Sequence, residues 1–165
     1  MRCDVRKIGW MILLLVSAPA WSNWEVAGGS VVQFISIKNN AVGELNRFES
    51  VVGTVTDEGQ VDIRVALDTV ETNVGIRNDR MKALLFEVGL FPEATITAQL
   101  APSAVSATQS HRVETRLTID LHGQVVQRAA TLQVAPNEQG LSVVSVEPIL
   151  LTASEFGLES GVAAL

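Results

Sequence analysis

Few side chains in this chain could do acid, base or metal chemistry, and their spacing matches no catalytic arrangement. The sequence has two histidines, His111 and His122, and its only cysteine is Cys3. Each histidine lies beside a predicted turn, where a solvated histidine is the usual occupant. His122 and Asp120 could reach one ion, but no set of side chains has convincing metal-ligand spacing. The chain also lacks the G-x-S-x-G segment that positions a nucleophilic serine. We therefore expect no catalytic residue, no metal site and no cofactor.

Two further charged residues, Arg77 and Asp79, lie at the start of a predicted helix, the one segment after residue 22 whose pattern indicates a helix. Within residues 69–92, apolar residues recur at positions i, i+3, i+4 and i+7, which predicts a helix over about Asn78 to Val88. Asn78 or Asp79 could cap its first turn, and Pro92 prevents continuation beyond Gly89. The stripe predicted to face the sheet consists of Met81, Leu84, Leu85 and Val88, and Phe86 lies off this stripe.

Arg77 and Asp79 allow two interpretations. One is a binding role at the mouth of the helix, and the other is a helix cap with an exposed ion pair, worth roughly 0–1 kcal/mol. The helix itself is either a mobile lid over an apolar interior or a permanent plug at one end. Phe86 and Phe91 supply more apolar surface than packing on one sheet face requires, which favours the lid.

The segments around this helix alternate between apolar and polar residues with period 2, as strands do. Val61, Ile63, Val65 and Leu67 share one face of a strand, and turns recur at hairpin spacing. About seven or eight strands predict an all-β fold, an antiparallel barrel or sandwich with one short helical insertion. A barrel of roughly eight strands holds either its own side chains or one small ligand. Val42 to Thr56 is predicted as one long strand that bends at its glycines, and the inward residues are expected to include Phe34, Phe48, Ile96, Leu117, Ile119 and Leu121.

The first 22 residues have the pattern of a secretory signal peptide. A positive start precedes the apolar run Ile8 to Val16, and small residues before Asn23 suit cleavage after Ser22. Nine apolar residues are too few to span a bilayer, so the mature chain, residues 23–165, is expected to contain no membrane span. Cleavage removes three basic residues and one acidic residue, which leaves nine basic and 17 acidic residues and a net charge of −8. This acidic balance makes nucleic acid an unsuitable partner.

Several short motifs follow each other between Trp24 and Leu158. They are Ser30-x-x-x-Phe34, Gly43-x-Leu45, Glu71-Thr72-x-x-x-x-Arg77-x-Asp79, Leu84-Leu85-Phe86, Phe91-Pro92, Leu117-Thr118-Ile119-x-Leu121-His122-Gly123 and Glu155-Phe156-Gly157-Leu158. Their order and spacing resemble the YceI-like family over roughly Trp24 to Leu158. The resemblance implies a lipocalin-like antiparallel β-barrel in an exported, periplasmic bacterial protein. It also implies, as in some family members, a long polyisoprenoid or isoprenoid quinone held in the barrel.

Three positions depart from the family pattern. Lys38 stands where the family often has histidine, and Ala153 and Glu155 replace the arginine and the aspartate around the last motif. Family members also continue with a further strand, whereas Gly161 to Leu165 reads as the start of an element that is not there. A barrel that lacked its closing strand would expose an edge. We therefore expect either that the sequence is a fragment or that a second copy closes the gap in a homodimer.

The leading hypothesis is a periplasmic carrier or scavenger that binds a long apolar lipid by burial alone. One alternative is a hydrolase or isomerase of that lipid, with His122 or Asp79 as the base. The other is a ligand-free barrel that binds a protein partner. The residues expected to bind the ligand are Phe34, Phe48, Ile63, Val65, Leu67, Arg77, Asp79, Met81, Leu85, Phe86, Phe91, Ile96, Leu117, Ile119 and Leu121.

Overall fold

The computed structural model describes residues 23–38, 42–138 and 140–165. The predicted signal peptide and the predicted turn at 39–41 lie outside these residues. The described chain forms ten strands, all paired antiparallel. They are β1 (Asn23–Glu25), β2 (Val32–Lys38), β3 (Val42–Phe48), β4 (Val51–Thr56), β5 (Gln60–Ala66), β6 (Val70–Glu71), β7 (Glu93–Gln99), β8 (His111–Leu121), β9 (Gln124–Asn137) and β10 (Gly140–Ser145).

The strands form a seven-stranded sheet in the order β1-β4-β5-β7-β8-β9-β10 and a three-stranded sheet in the order β2-β3-β6. The larger sheet curls until its two edge strands approach each other. The ring of Trp24 on β1 lies 3.3 Å from the position that a Cβ would take at Gly140 on β10. The expected all-β, lipocalin-like architecture is therefore confirmed as a curled antiparallel half-barrel, to which the smaller sheet is added.

The predicted long strand from Val42 to Thr56 is wrong, because it divides into β3 and β4, which belong to different sheets. The break falls at Glu49 and Ser50. Both of their backbone N–H groups donate to Oγ1 of Thr69, at 3.2 and 3.1 Å. The N–H of Glu49 also reaches the carbonyl of Thr69 at 3.3 Å. Since these donors bond Thr69, in the 3₁₀ turn Leu67–Thr69, instead of a neighbouring strand, the chain leaves one sheet and joins the other.

Burial alternates along the central strands, and it defines an inner face on the concave side of the large sheet. On β5 Val61 and Val65 are buried while Arg64 is exposed, and on β8 Leu117 and Ile119 are buried while Arg116 is exposed. A smaller cluster at one end combines Val61 with Leu100, Ala104 and Val105 and includes the short helix α2 (Pro102–Val105).

The predicted helix is present, but its boundaries differ. Helix α1 (Gly75–Arg80) continues into one π-helical turn, Met81–Leu85. No side chain caps its start at Val74, so Asn78 and Asp79 are not caps. Gly89 does not end the helix either. The chain turns at Glu87, which has a left-handed backbone with φ of 46°. Residues 75–86 are named the cover segment below.

The π-helical turn changes which side chains face the sheet. The backbone N–H of Phe86 bonds to the carbonyl of Met81 at 2.9 Å, a bond that spans five residues. A π turn holds more residues than an α turn. The side chains four and five residues after Met81 therefore both lie on the same side of the helix as Met81. Leu85 and Phe86 are accordingly buried, whereas Leu84 is 47% exposed. The predicted stripe is therefore wrong at Leu84, and Phe86 replaces it.

The C-terminal residues fold back onto the cover segment. A short 3₁₀ helix, Ala153–Phe156, precedes helix α3 (Glu159–Ala164), so Gly161 to Leu165 does not begin a strand. A Cβ at Gly161 would lie 2.5 Å from the carbonyl oxygen of Leu84, which shows how closely α3 approaches the π turn. Residues 152–164 are named the C-terminal segment. In the part of the chain that the structure describes, no helix has the length and apolarity needed to cross a bilayer.

Candidate functional site

The inner face of the large sheet carries six of the fifteen residues that were predicted to contact a ligand. Val65, Leu117 and Ile119 are buried there, and so is Leu67, in the 3₁₀ turn Leu67–Thr69 that follows β5. Ile63, Ile96 and Leu121 are partly buried and pack against the same cluster. The antiparallel register places Ile63 opposite Ile96, and Ile96 opposite Ile119, so one continuous apolar wall crosses β5, β7 and β8.

Aromatic side chains connect this wall to the smaller sheet and to the cover segment. The Phe34 and Phe48 rings of β2 and β3 stack with their centroids 5.2 Å apart. The ring of Phe86 approaches that of Phe48 at 5.5 Å. Met81 and Leu85 are buried in the same cluster. These five residues, all predicted from the sequence, fill the space over the inner face.

Polar contacts hold the start of the cover segment. The side-chain oxygen of Asn78, which is buried, accepts from the backbone N–H of Thr72 at 2.9 Å and from its hydroxyl at 2.7 Å. The Asn78 amide donates to Glu71 at 3.2 Å. This bond, together with the backbone N–H of Asn73, lowers the pKa of the Glu71 carboxyl. Asn78 therefore joins the helix to the end of β6 and has no capping role.

Arg77 and Asp79 do not form a pair with each other. Arg77 donates to the carboxylate of Glu44 on β3, with an Nη1–Oε2 distance of 2.5 Å, and both side chains are partly exposed. Asp79 is exposed on the other side of the helix. The structure thus brings Arg77 to the rim between the cover segment and the small sheet and leaves Asp79 outside it.

Phe91 lies apart from the aromatic cluster. Its ring packs on the imidazole of His122 with centroids 4.2 Å apart, and Nε2 of His122 lies 2.8 Å from a carboxylate oxygen of Glu87. The His122 side chain is only 16% exposed, so it is not the solvated turn residue that was expected. Glu87 and His122 both have left-handed backbones, with φ of 46° and 55°. This contact joins the end of the cover segment to the β8–β9 turn.

The C-terminal segment contributes residues that the sequence did not assign to the site. Phe156 and Leu158 are among the buried residues of the central cluster. The guanidinium of Arg128, which faces inward on β9 opposite Leu117, bonds to the carboxylate of Glu155 and to the carbonyl of Leu150. The only sequence signal was the motif that contains Glu155 and Phe156, because nothing local indicates Arg128 as its partner.

The bond to Arg128 has an electrostatic consequence for Glu155. That bond, followed by donation from the backbone and the hydroxyl of Thr152, lowers the pKa of the Glu155 carboxyl from 4.5 to about 2. Glu155 also completes a capping box with Thr152 at the start of the 3₁₀ helix. The C-terminal segment is therefore fastened by a charged contact, in addition to the burial of Phe156.

The space between the sheet and its two covering segments is filled by side chains. Two shallow depressions occur on the described surface. One, of about 290 Å³, has a mixed polar and apolar lining that includes Thr97, Ala98 and Arg116, and the other, of about 250 Å³, lies beside residues 82–90. Among the described residues, no group of three or more His, Cys, Asp or Glu side chains could hold a metal ion.

Comparisons with known proteins agree with this architecture. A family model described as the YceI-like domain matches residues 24–164. A polyisoprenoid binding domain from Saccharophagus degradans, implicated in plant cell wall breakdown, superposes with a TM-score of 0.80 at 27% identity. That superposition covers 87% of this chain and 85% of that one. BcnA of Burkholderia cenocepacia superposes with a TM-score of 0.60 at 16% identity, over 78% and 79% of the two chains. None of the curated proteins compared with the chain matches it.

Proposed function

Since the chain belongs to the YceI-like domain family, we propose that it binds a long apolar lipid of the polyisoprenoid type, isoprenoid quinones included, against the inner face of its curled sheet. The observation that carries the proposal is the likeness, at 27% identity and a TM-score of 0.80, to a domain described as polyisoprenoid binding. The protein would act as a carrier or scavenger, and the binding step needs no catalytic group.

The chemistry of the inner face supports this ligand class. Its side chains are apolar across β5, β7 and β8. The inward-facing arginine, Arg128, is engaged by Glu155. Transfer of apolar surface out of water contributes about 25 cal/mol per Å², so a long hydrocarbon chain is bound by its buried area. We propose that Arg77, which bonds to Glu44 at the rim, meets the polar end of the ligand, and that Asp79 contributes there when the cover segment moves.

Binding requires that something leaves the inner face, because side chains now fill it. We propose that the cover segment moves outward and that the ligand takes the space of Met81, Leu85 and Phe86. The π turn at the end of the cover segment suits such a movement. A π turn interrupts the regular hydrogen bonds of a helix, and such turns recur at functional sites. The proposed contacts for the lipid are Phe34, Phe48, Ile63, Val65, Leu67, Met81, Leu85, Phe86, Phe91, Ile96, Leu117, Ile119 and Leu121.

We further propose that the protein works in the periplasm after removal of residues 1–22. The pattern of that segment supports export. The lipids in question partition into membranes, so a carrier that moves them between membranes must shield them from water.

The decisive experiment is organic extraction of protein purified from a bacterial periplasm, followed by mass spectrometry. We expect a prenyl lipid at a stoichiometry near one per chain and a reduced amount in a Val65→Asp variant. A parent protein that carries no lipid, and that also takes up no added isoprenoid quinone, would contradict the proposal and would favour a protein-binding role.

A further inference from the structure

Two residues near the end of the cover segment are not the ones that their backbone conformations favour. A left-handed backbone is adopted most easily by glycine and then by asparagine. Glu87, with φ of 46°, stands where a helical segment usually ends in glycine. His122 and Gly123, with φ of 55° and 72°, form the two-residue turn between β8 and β9, where Asn-Gly is preferred. Local turn geometry therefore does not account for a glutamate and a histidine at these two positions.

The side chains of Glu87 and His122 meet in a contact in which the imidazole is largely shielded from water. Nε2 of His122 lies 2.8 Å from a carboxylate oxygen of Glu87, and the imidazole, whose side chain is 16% exposed, packs on the ring of Phe91. The Phe91 ring also lies 3.3 Å from the position that a Cβ would take at Gly123. These close contacts fasten the end of the cover segment to the large sheet. Glu87, Phe91 and His122 together are named the latch.

The strength of the contact between Glu87 and His122 depends on the charge of the imidazole. Histidine is the side chain whose charge ordinarily changes between about pH 5 and about pH 8. A protonated imidazole forms an ion pair with the carboxylate, whereas a neutral one forms a hydrogen bond at most. Hydrogen bonds between ionised groups are roughly twice as strong as neutral ones. The latch is therefore strongest at acidic pH and weakens as the pH rises.

Other charged groups lie on the elements packed around His122, but none of them competes directly. They are Lys82 on the cover segment, Glu93 at the start of β7 and Asp120 on β8. In the part of the chain that the structure describes, none of these three is within ion-pair distance of His122 or Glu87. The carboxylate of Glu87 is therefore the charge that a protonated His122 meets.

We propose that the latch makes the opening of the cover segment depend on pH, and that it thereby regulates the release of the bound lipid. The inference rests on the proposed function, because the segment that the latch holds is the one that must move to expose the inner face. The ion pair exists only while the segment is closed. Protonation of His122 therefore favours the closed state, and this advantage is lost as the pH rises.

The test measures the exchange of a fluorescent quinone analogue from the loaded parent protein at about pH 5.5 and about pH 8. Exchange should be about five-fold faster at the higher pH, since an ion pair with one exposed partner contributes only modestly. His122→Asn and Glu87→Gln should each exchange the analogue at one fast rate at both pH values. Because asparagine is the residue that this turn favours, the effect of His122→Asn cannot come from a disrupted turn. The matched control is His111→Gln, at the other end of β8 from the latch, which should keep the pH dependence of the parent.

Hydrogen exchange of residues 75–86 tests the latch without any lipid. Protection factors, which correct for the effect of pH on the intrinsic exchange rate, should fall in the parent between these two pH values and stay equal in His122→Asn. If the protection factors, or the lipid exchange of the loaded parent, do not depend on pH, the inference is wrong. It is also wrong if His122→Asn keeps the dependence or if His111→Gln loses it. A parent that takes up no analogue, but whose protection factors follow the expected pattern, would refute the proposed function alone.

Discussion

The sheet and the cover segment are held in place by different kinds of interaction. In the sheet, β8 and β9 pair over eleven consecutive positions, and β5 and β7 over seven, with an apolar face behind them. The cover segment has no strand partner. It rests on the buried Met81, Leu85 and Phe86 and on a few side-chain contacts at its two ends.

This difference indicates which part of the molecule can move. Disturbing the sheet breaks a cooperative array of backbone bonds, while moving the cover segment breaks a few contacts and one apolar patch. Regions with few cooperative bonds open at lower free energy than core strands do. We therefore regard the sheet as a fixed wall and the cover segment as the moving part, and each prediction below tests that contrast.

The largest effect is expected from Val65→Asp on the wall. Val65 is 2% exposed, so the substitution would bury a charge among apolar side chains, which costs several kcal/mol unless the carboxyl is neutralised. We expect a strongly lowered melting temperature and loss of bound lipid. Val52→Asp is the control, because Val52 faces outward on the adjacent strand and is 56% exposed. Equal behaviour of the two variants would show that the inner face is assigned to the wrong side.

The next effect is expected from Phe86→Ala in the cover segment. Truncation of a buried phenylalanine typically costs about 3–5 kcal/mol, and here it also removes the contact with Phe48. We expect a loss at the lower end of that range, together with faster exchange of bound lipid, measured with a fluorescent quinone analogue. Leu84→Ala, on the exposed side, should change stability little. A large stability loss with unaltered exchange would identify the segment as a permanent plug.

A smaller effect is expected from Asn78→Ala, at the hinge between β6 and the cover segment. The variant leaves the backbone N–H of Thr72 without its acceptor, while the hydroxyl keeps the carbonyl of Val74 at 3.3 Å. A buried unsatisfied donor costs about 1–3 kcal/mol. Hydrogen exchange should increase in residues 75–86 more than in the sheet. The control is Asp79→Ala, one residue further along and exposed. If Asn78→Ala loosens the sheet to the same degree, the two parts are not independent.

The comparison also explains how much the sequence could predict. The alternation of Val65, Leu117 and Ile119 with polar neighbours is a local pattern, and the structure bears out their inward orientation. The family resemblance supplied the lipocalin-like architecture. The contact of these residues with a lipid stays a prediction.

What the sequence could not predict depends on distant partners or on an unusual helix. The strand break at Glu49 is made by Thr69, 20 residues away, and Arg128 meets Glu155 across 27 residues. The prediction of which helix side chains face the sheet used a period of 3.6 residues, and the π turn changes that period. Leu84 was therefore assigned to the side that Phe86 occupies. Each error lies where a tertiary contact or a change of helical period overrides the local pattern.

The smallest effect concerns the second covering segment and its dependence on pH. Arg128 lowers the pKa of Glu155 from 4.5 to about 2, so the folded state favours the carboxylate. The contribution of this contact to stability is therefore fully present above pH 4.5 and disappears as the pH falls towards 2.

We expect Glu155→Gln to be less stable than the parent at pH 6 and equally stable near pH 2, measured by urea denaturation. Glu71, whose pKa is also lowered, titrates in both proteins, so the difference between them isolates Glu155. If this difference in stability stays constant from pH 6 to pH 2, the contact between Arg128 and Glu155 does not stabilise the fold through the charge of Glu155. Burial of Phe156 would then be what holds the C-terminal segment against the sheet.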